Sequence, residues 1–139
     1  MALSANKKIS TVPDITFRDI PVASGAIHIY KSALINRNIS GFGVLGDDTV
    51  NKVFTGVAYE ELNQAVGGSD GDNKVKVISA HSGTTVKLTL AGVTKSNIGK
   101  DCFVLSDDAV ALAGVPTVEI RVGTIIDTVL TNEALVILD

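Results

Sequence analysis

From Lys74 to Leu90 the chain reads KVKVISAHSGTTVKLTL, two alternating apolar and polar runs separated by the turn-forming His81-Ser82-Gly83-Thr84. Alternation with a period of two is the mark of a strand with one buried face. The stretch therefore predicts strands over 74–80 and 85–91, joined as a hairpin. The same grammar runs on to Asp139. Thr94-Lys95-Ser96-Asn97-Ile98-Gly99 predicts one helical turn, with Ser96 near its cap and Gly99 as its stop. Phe103-Val104-Leu105 and Ala109-Val110-Ala111-Leu112 flank the polar turn Ser106-Asp107-Asp108 and predict a second hairpin. Residues 118–128 and 134–138, around Thr131-Asn132-Glu133, close the sheet.

Upstream, Ala26-Ile27-His28-Ile29-Tyr30-Lys31, the Gly-flanked run 41–46, and Lys52-Val53-Phe54-Thr55-Gly56-Val57-Ala58-Tyr59 read as further strands. Gln64 to Asn73 (QAVGGSDGDN) is a Gly- and Asp-rich loop. Eight or nine short strands at this spacing predict an all-β domain, a small antiparallel barrel or sandwich over residues 25–139. A parallel sheet would need helices of ten or more residues between strands.

Residues 1–24 are written differently. Single hydrophobes (Ile9, Val12, Ile15, Phe17, Ile20, Val22) are scattered without period, and Val12-Pro13 and Ile20-Pro21 disfavour helix and central strand alike. The expectation is an extended N-terminal arm that gains stability by lying on a surface, its own barrel or a neighbour's.

Composition bounds the functions open to such a chain. With 139 residues a single core is expected, and 4% aromatic residues with no Trp make that core aliphatic. One cysteine, Cys102, excludes an internal disulfide, and within Cys102-Phe103-Val104-Leu105 it reads as a small buried hydrophobe. Together with only His28 and His81 it gives too few soft ligands for a zinc site, so no metal or other cofactor is expected. The front of the chain is basic and the body acidic: residues 1–40 hold five of the twelve Lys and Arg but two of the fifteen Asp and Glu. Without a dense basic cluster or stacking aromatics, contact with protein is expected and nucleic acid is not. No apolar run reaches bilayer length, and the first residues lack the order of a secretory signal. A soluble chain made in the cytoplasm is expected, with no membrane partner.

Three motifs carry a possible chemistry. Gly41-Phe42-Gly43-Val44-Leu45-Gly46 fits G-x-G-x-x-G, but the following Asp47-Asp48-Thr49-Val50-Asn51 opens no helix to hold a pyrophosphate, so glycines sparing the backbone at bends are the better account. Asp70 and Asp72 have the spacing of the start of a calcium loop, yet His81 stands where the bidentate Glu belongs; a loose cation site competes with a solvated turn. Asp107-Asp108 could form a carboxylate pair, but adjacent turn residues point apart. No nucleophile elbow accompanies the Ser, His and Asp present. No catalytic residue and no small-molecule substrate are expected.

The succession of Ile29-Tyr30-Lys31-Ser32-Ala33-Leu34-Ile35, Val53-Phe54-Thr55-Gly56-Val57-Ala58, the alternating pair around 74–90, Ile98-Gly99-Lys100-Asp101-Cys102-Phe103-Val104 with Asp107-Asp108-Ala109-Val110, and Arg121-Val122-Gly123-Thr124-Ile125-Ile126 resembles the capsid cement, or head decoration, proteins of tailed bacteriophages over residues 25–138. The chain departs from that pattern in its leader and in the loop 64–73. The resemblance implies a non-enzymatic virion protein, usually a homotrimer, that binds the outside of an assembled head at junctions between major capsid subunits and stabilises the shell. Under it Ile15, Phe17, Arg18, Ile20 and Pro21 are the candidates for capsid contact. A tail or fibre component or a surface adhesin is the second reading, and a small enzyme the third.

Overall fold

The structure, a computed structural model, describes residues 16–139. Ile15 and the first fourteen residues of the expected arm lie outside the described residues. Over the described residues the chain is all-β, with twelve strands: β1 (Phe17–Pro21), β2 (Ile27–Ile29), β3 (Leu34–Arg37), β4 (Gly43–Leu45), β5 (Val53–Ala58), β6 (Leu62–Gln64), β7 (Lys74–Ser79), β8 (Thr85–Thr89), β9 (Asp101–Val104), β10 (Val110–Ala111), β11 (Arg121–Leu130) and β12 (Glu133–Ile137). They form a five-stranded sheet in the order β1-β7-β5-β3-β4, a second in the order β10-β9-β11-β12-β8, and the small pair β2-β6. Every strand pair is antiparallel.

The first sheet curls until its outer strands meet. Just past β1, Val22 forms a parallel bridge with Gly43 of β4, and the Ala23 N–H donates to the Gly43 carbonyl at 2.9 Å. A β-carbon on Gly43 would lie 3.0 Å from Ile20 Cγ2, so the missing side chain is what allows this approach. Two cores result. Ile20, Val22, Ile29, Ile35, Val75 and Val77 fill the inside of the curl. Leu34, Phe54, Val57, Leu88, Val104 and Val136 fill the space between the first sheet and the second. Successive side chains of a strand point to opposite faces, which is how β3 supplies both cores.

Three expectations change. Residues 17–23 belong to the folded body: β1 pairs with β7 from Phe17–Ile78 to Pro21–Lys74, and Ile20 and Val22 are fully buried. The domain begins at or before Phe17, upstream of the boundary at residue 25. Pro21 is tolerated because β1 is an outer strand of its sheet and needs no donor on its far side. Secondly, residues 74–80 and 85–91 are not a hairpin. β7 pairs with β1 and β5 in the first sheet, whereas β8 pairs with β12 in the second. Left-handed backbone at His81 (φ 61°) and Gly83 (φ 76°) carries the chain across between sheets. Thirdly, β1, β3 and β6 add to the nine strands expected.

The hairpins β9–β10 and β11–β12 form with the turns expected of them. The helical turn is a short 3₁₀ segment, Lys95–Asn97, with Thr94 at its cap rather than Ser96; the Asn97 side chain accepts from the Thr94 N–H at 2.8 Å, and Gly99 follows with φ 90°.

Gln64, read from sequence as the first residue of a loop, is 3% exposed. Its Nε2 donates to the carbonyls of Ala23 and Gly25, both at 2.7 Å, and its Oε1 accepts from Asn73 Nδ2 at 3.0 Å. One amide thus ties the end of β1, the start of β6's loop and the entry to β7.

Candidate functional site

On the outer face of the first sheet, Phe17 leans over β7 to meet Tyr59, which directly follows β5; their ring centroids are 4.7 Å apart at 60°. Both remain about half exposed, Phe17 at 45% and Tyr59 at 48%. The register explains the meeting. Phe17 lies opposite Ile78, and the Tyr59 N–H donates to the Lys76 carbonyl at 2.8 Å, so the two rings converge over β7 from positions on either side of it that differ by two residues, the spacing of one strand face.

The turn from Tyr30 to Ala33 completes the cluster. Ser32 is left-handed (φ 73°), and its N–H donates to the Ala58 carbonyl at 2.8 Å, while the Ala58 N–H donates to the Ala33 carbonyl at 2.8 Å. That clamp fixes the turn against the end of β5 and leaves Lys31 exposed, with its Nζ 6.0 Å from the Tyr59 ring centroid. Tyr30, 58% exposed, stacks on His28 at 4.0 Å. Of six aromatic residues in the chain, the three that are exposed, Phe17, Tyr30 and Tyr59, belong to this β1–turn–β5 region. Aromatic rings with a lysine above them offer large rigid contact area and a site for planar or anionic groups at little entropic cost.

Of the residues singled out from sequence for contact, Phe17 and Arg18 are exposed on β1. Pro21 is half-buried beside Lys74. Ile20 is a core side chain with no exposed surface, so it is not available for contact; its apolar character serves the interior of the curl. Tyr30, Lys31 and Tyr59 were not singled out. Their signal was rarity: in a chain so poor in aromatics, two tyrosines at strand ends stood out.

The tempting motifs resolve into structure. Gly43 and Gly46 lie where a β-carbon would press on Ile20 and on the Leu34 carbonyl, and Asp47 accepts from Thr49 and pairs with Lys52 Nζ at 2.7 Å. The Asp70 carboxylate accepts from the Ser24 N–H at 2.7 Å and that of Asp72 from the Ser69 N–H at 2.8 Å, so both close the loop on itself and on β1's end. Asp108 accepts from the Ser106 hydroxyl at 2.6 Å within the β9–β10 turn. Among the described residues no three His, Cys, Asp or Glu side chains stand together as a metal site.

Cys102 is fully buried, and burial pushes its thiol up to about 12. A thiol held neutral in this way is a packing group rather than a nucleophile. At the other end of the body, Arg121 bridges Asp101 at 3.1 Å and Asp139 at 2.8 Å, while Thr124 Oγ1 donates to Asp139 at 2.8 Å. Partial burial works to raise the Asp139 carboxyl, but Thr124 and Arg121 together hold it below the usual carboxylate range. This network fastens the last residue to β11.

Comparison of the chain with models of known protein families, with curated proteins and with solved structures finds no match.

Proposed function

We propose that this protein is a structural binder: a capsid decoration protein that docks, as a homo-oligomer and most simply a trimer, on the outside of an assembled phage head where major capsid subunits meet. The observation that carries the reading is the exposed Phe17–Tyr59 pair with Lys31 above it, held on a sheet that is packed on both faces. Exposed aromatics on a rigid platform are the anchors of protein–protein interfaces, since little side-chain freedom is lost on docking. The ordered succession of strand motifs that resembles the decoration proteins supports the choice of partner. Many copies on a lattice also need only modest affinity per site, because neighbouring contacts raise one another's effective concentration.

The test is to mix purified protein with heads lacking it and count bound copies by electron microscopy. Saturable decoration of the exterior, weakened at least tenfold in Phe17→Ala/Tyr59→Ala, is the expected result. Failure of the unaltered protein to decorate heads, or binding to tails instead, would overturn the reading.

A further inference from the structure

β8 is the last strand of the second sheet; Val86 and Leu88 face the core, and Thr85, Lys87 and Thr89 are exposed on the other face. Its register with β12, together with the bonds Leu138 N–H to Thr84 O and Leu90 N–H to Asn132 O, turns the N–H and C=O groups of Thr85, Lys87 and Thr89 away from β12. Among the described residues no strand pairs with that side. An open row of backbone donors and acceptors is a template for one more strand.

The surroundings of that edge say what the strand would carry. Beside Val86 a cleft of about 460 Å³ opens between the two sheets, walled by Val57, Ala58, Tyr59 and Ile78 and lined as well by Lys31 and Lys87. Among the described residues neither lysine forms an ion pair. Past Lys87 a second cleft, at Leu88 and Thr89, is bounded by Asp107 and Asp108. The edge thus offers an unmatched positive charge at its middle and apolar room beside it.

We propose that β8 takes up an extended acidic segment of the protein it docks on, antiparallel, as a sixth strand of the second sheet, with a glutamate or aspartate directly opposite Lys87. The inference rests on the reading that the chain docks on another protein, and it names the part of that protein that is held. The pleat allows one register. The residue opposite Lys87 shares its outward face, where opposite charges directly across a strand pair attract. The residues on either side of it point inward beside Val86 and Leu88, and the one beside Val86 enters the cleft walled by Val57, Tyr59 and Ile78. The next two, opposite Thr85 and Thr89, point outward again, so the segment reads polar, apolar, acidic, apolar, polar. Other occupants fit worse. Two copies of β8 laid antiparallel about their centres set Lys87 against Lys87, a like-charge pair. A nucleic acid strand brings a phosphate with every nucleotide, and those following the edge meet Asp107 and Asp108.

The probe is the blocked peptide acetyl-Thr-Val-Glu-Val-Thr-amide, added to the purified chain and followed by NMR at the backbone amides of Thr85, Lys87 and Thr89. Saturable shifts at these amides, with a Kd of about 1 mM or tighter, and slowed exchange of the Lys87 amide are expected. The peptide with lysine in place of glutamate should bind about tenfold more weakly, and Lys87→Glu should reverse the preference. On heads that the unaltered chain decorates, Lys87→Glu should also bind about tenfold more weakly. Absence of shifts at these amides, or binding indifferent to the charge on either side, overturns the proposal and leaves Lys87 as a guard against strand pairing. A Lys87 amide already protected without peptide gives the edge to the chain itself, and protection that grows with protein concentration gives it to a second copy; either overturns the proposal. So does displacement of the peptide by a thymidine oligonucleotide, or full decoration of heads by Lys87→Glu. Because the peptide measurement needs no heads, failure of the unaltered chain to decorate them strikes the docking reading alone.

Discussion

Leu34 and Ile35 are neighbours in β3, both without exposed surface, and they belong to different cores: Leu34 faces the second sheet and Ile35 faces the inside of the curl. The first sheet is therefore a wall shared by both halves of the molecule. Truncating either residue is expected to cost about 2–5 kcal/mol, and each variant should still unfold in one transition, because loosening one face of the wall loosens the other. Urea titration followed by far-UV circular dichroism checks this; two separate transitions in either variant would show the cores to be independent.

The two possible truncations of the leader should behave very differently. Removing residues 1–15 leaves β1 in place, and the shortened chain is expected to fold. Removing residues 1–24 strips Ile20 and Val22 from the curl and uncovers one side of β7. Each of those side chains is worth about 1.5–3 kcal/mol of burial, against a total stability of about 5–15 kcal/mol for an ordinary domain. The longer deletion should be recovered as insoluble or molten material, and a cooperative urea transition in it would contradict the placement of β1.

Cys102 makes stability depend on alkaline pH. Its thiol ionises near 9 when unfolded and near 12 when folded, so the folded state holds its proton more tightly. The contribution is complete below pH 9 and is lost as pH rises from 9 towards 12. Cys102→Ala is expected to lose less stability across that interval than the unaltered chain. In native protein at pH 8 the thiol should resist iodoacetamide, and it should react within minutes in concentrated urea.

Asp139 acts in the opposite direction. Despite partial burial, Thr124 and Arg121 hold its carboxyl below 3.8, so its contribution is present above that pH and disappears as acid protonates it. Asp139→Asn should be slightly less stable than the unaltered chain at pH 6, with the difference shrinking as pH falls below the ordinary carboxylate range and the carboxyl takes up its proton. The pair is exposed, so the gap at pH 6 is expected to stay below about 1 kcal/mol. A constant gap across the acid range would remove the carboxylate from the account.

For Phe17 and Tyr59 the expectation separates stability from binding. Both rings are half exposed, so Phe17→Ala should cost about 1 kcal/mol or less of fold stability. Loss of decoration without loss of the urea midpoint would mark the pair as a contact surface. A drop in midpoint matching the drop in decoration would mark it as packing only.

Which parts of this architecture could be read from residues follows from how local they are. The β9–β10 and β11–β12 hairpins were legible because turn and both strands sit within about twenty residues, and alternation with a polar turn suffices to pair them. The pairing of β7 with β1 and β5 was not, since it is decided by which distant strands compete for its edges; Lys74–Leu90 has all the local marks of a hairpin and is split between sheets. β1 was hidden by Pro21, whose usual meaning is the end of a strand and here is only an outer position. β6 was hidden by Gln64, whose polar side chain reads as loop until three partners are found for it. Of the exposed aromatic cluster, Phe17 could be picked out as an apolar residue of a leader, while Tyr59 and Lys31 joined it only through the clamp between β5's end and the 30–33 turn.

The Gln64 amide has a practical consequence. Gln64 holds Ala23, Gly25 and Asn73 at fixed points, the Gly25 N–H to Gly68 carbonyl and Gly71 N–H to Val22 carbonyl bonds tie down the rest of the 64–73 segment, and Val66 within it is 82% exposed. A short foreign epitope or fluorophore-binding peptide spliced between Val66 and Gly67 should therefore be displayed outward while the strands beneath keep their register.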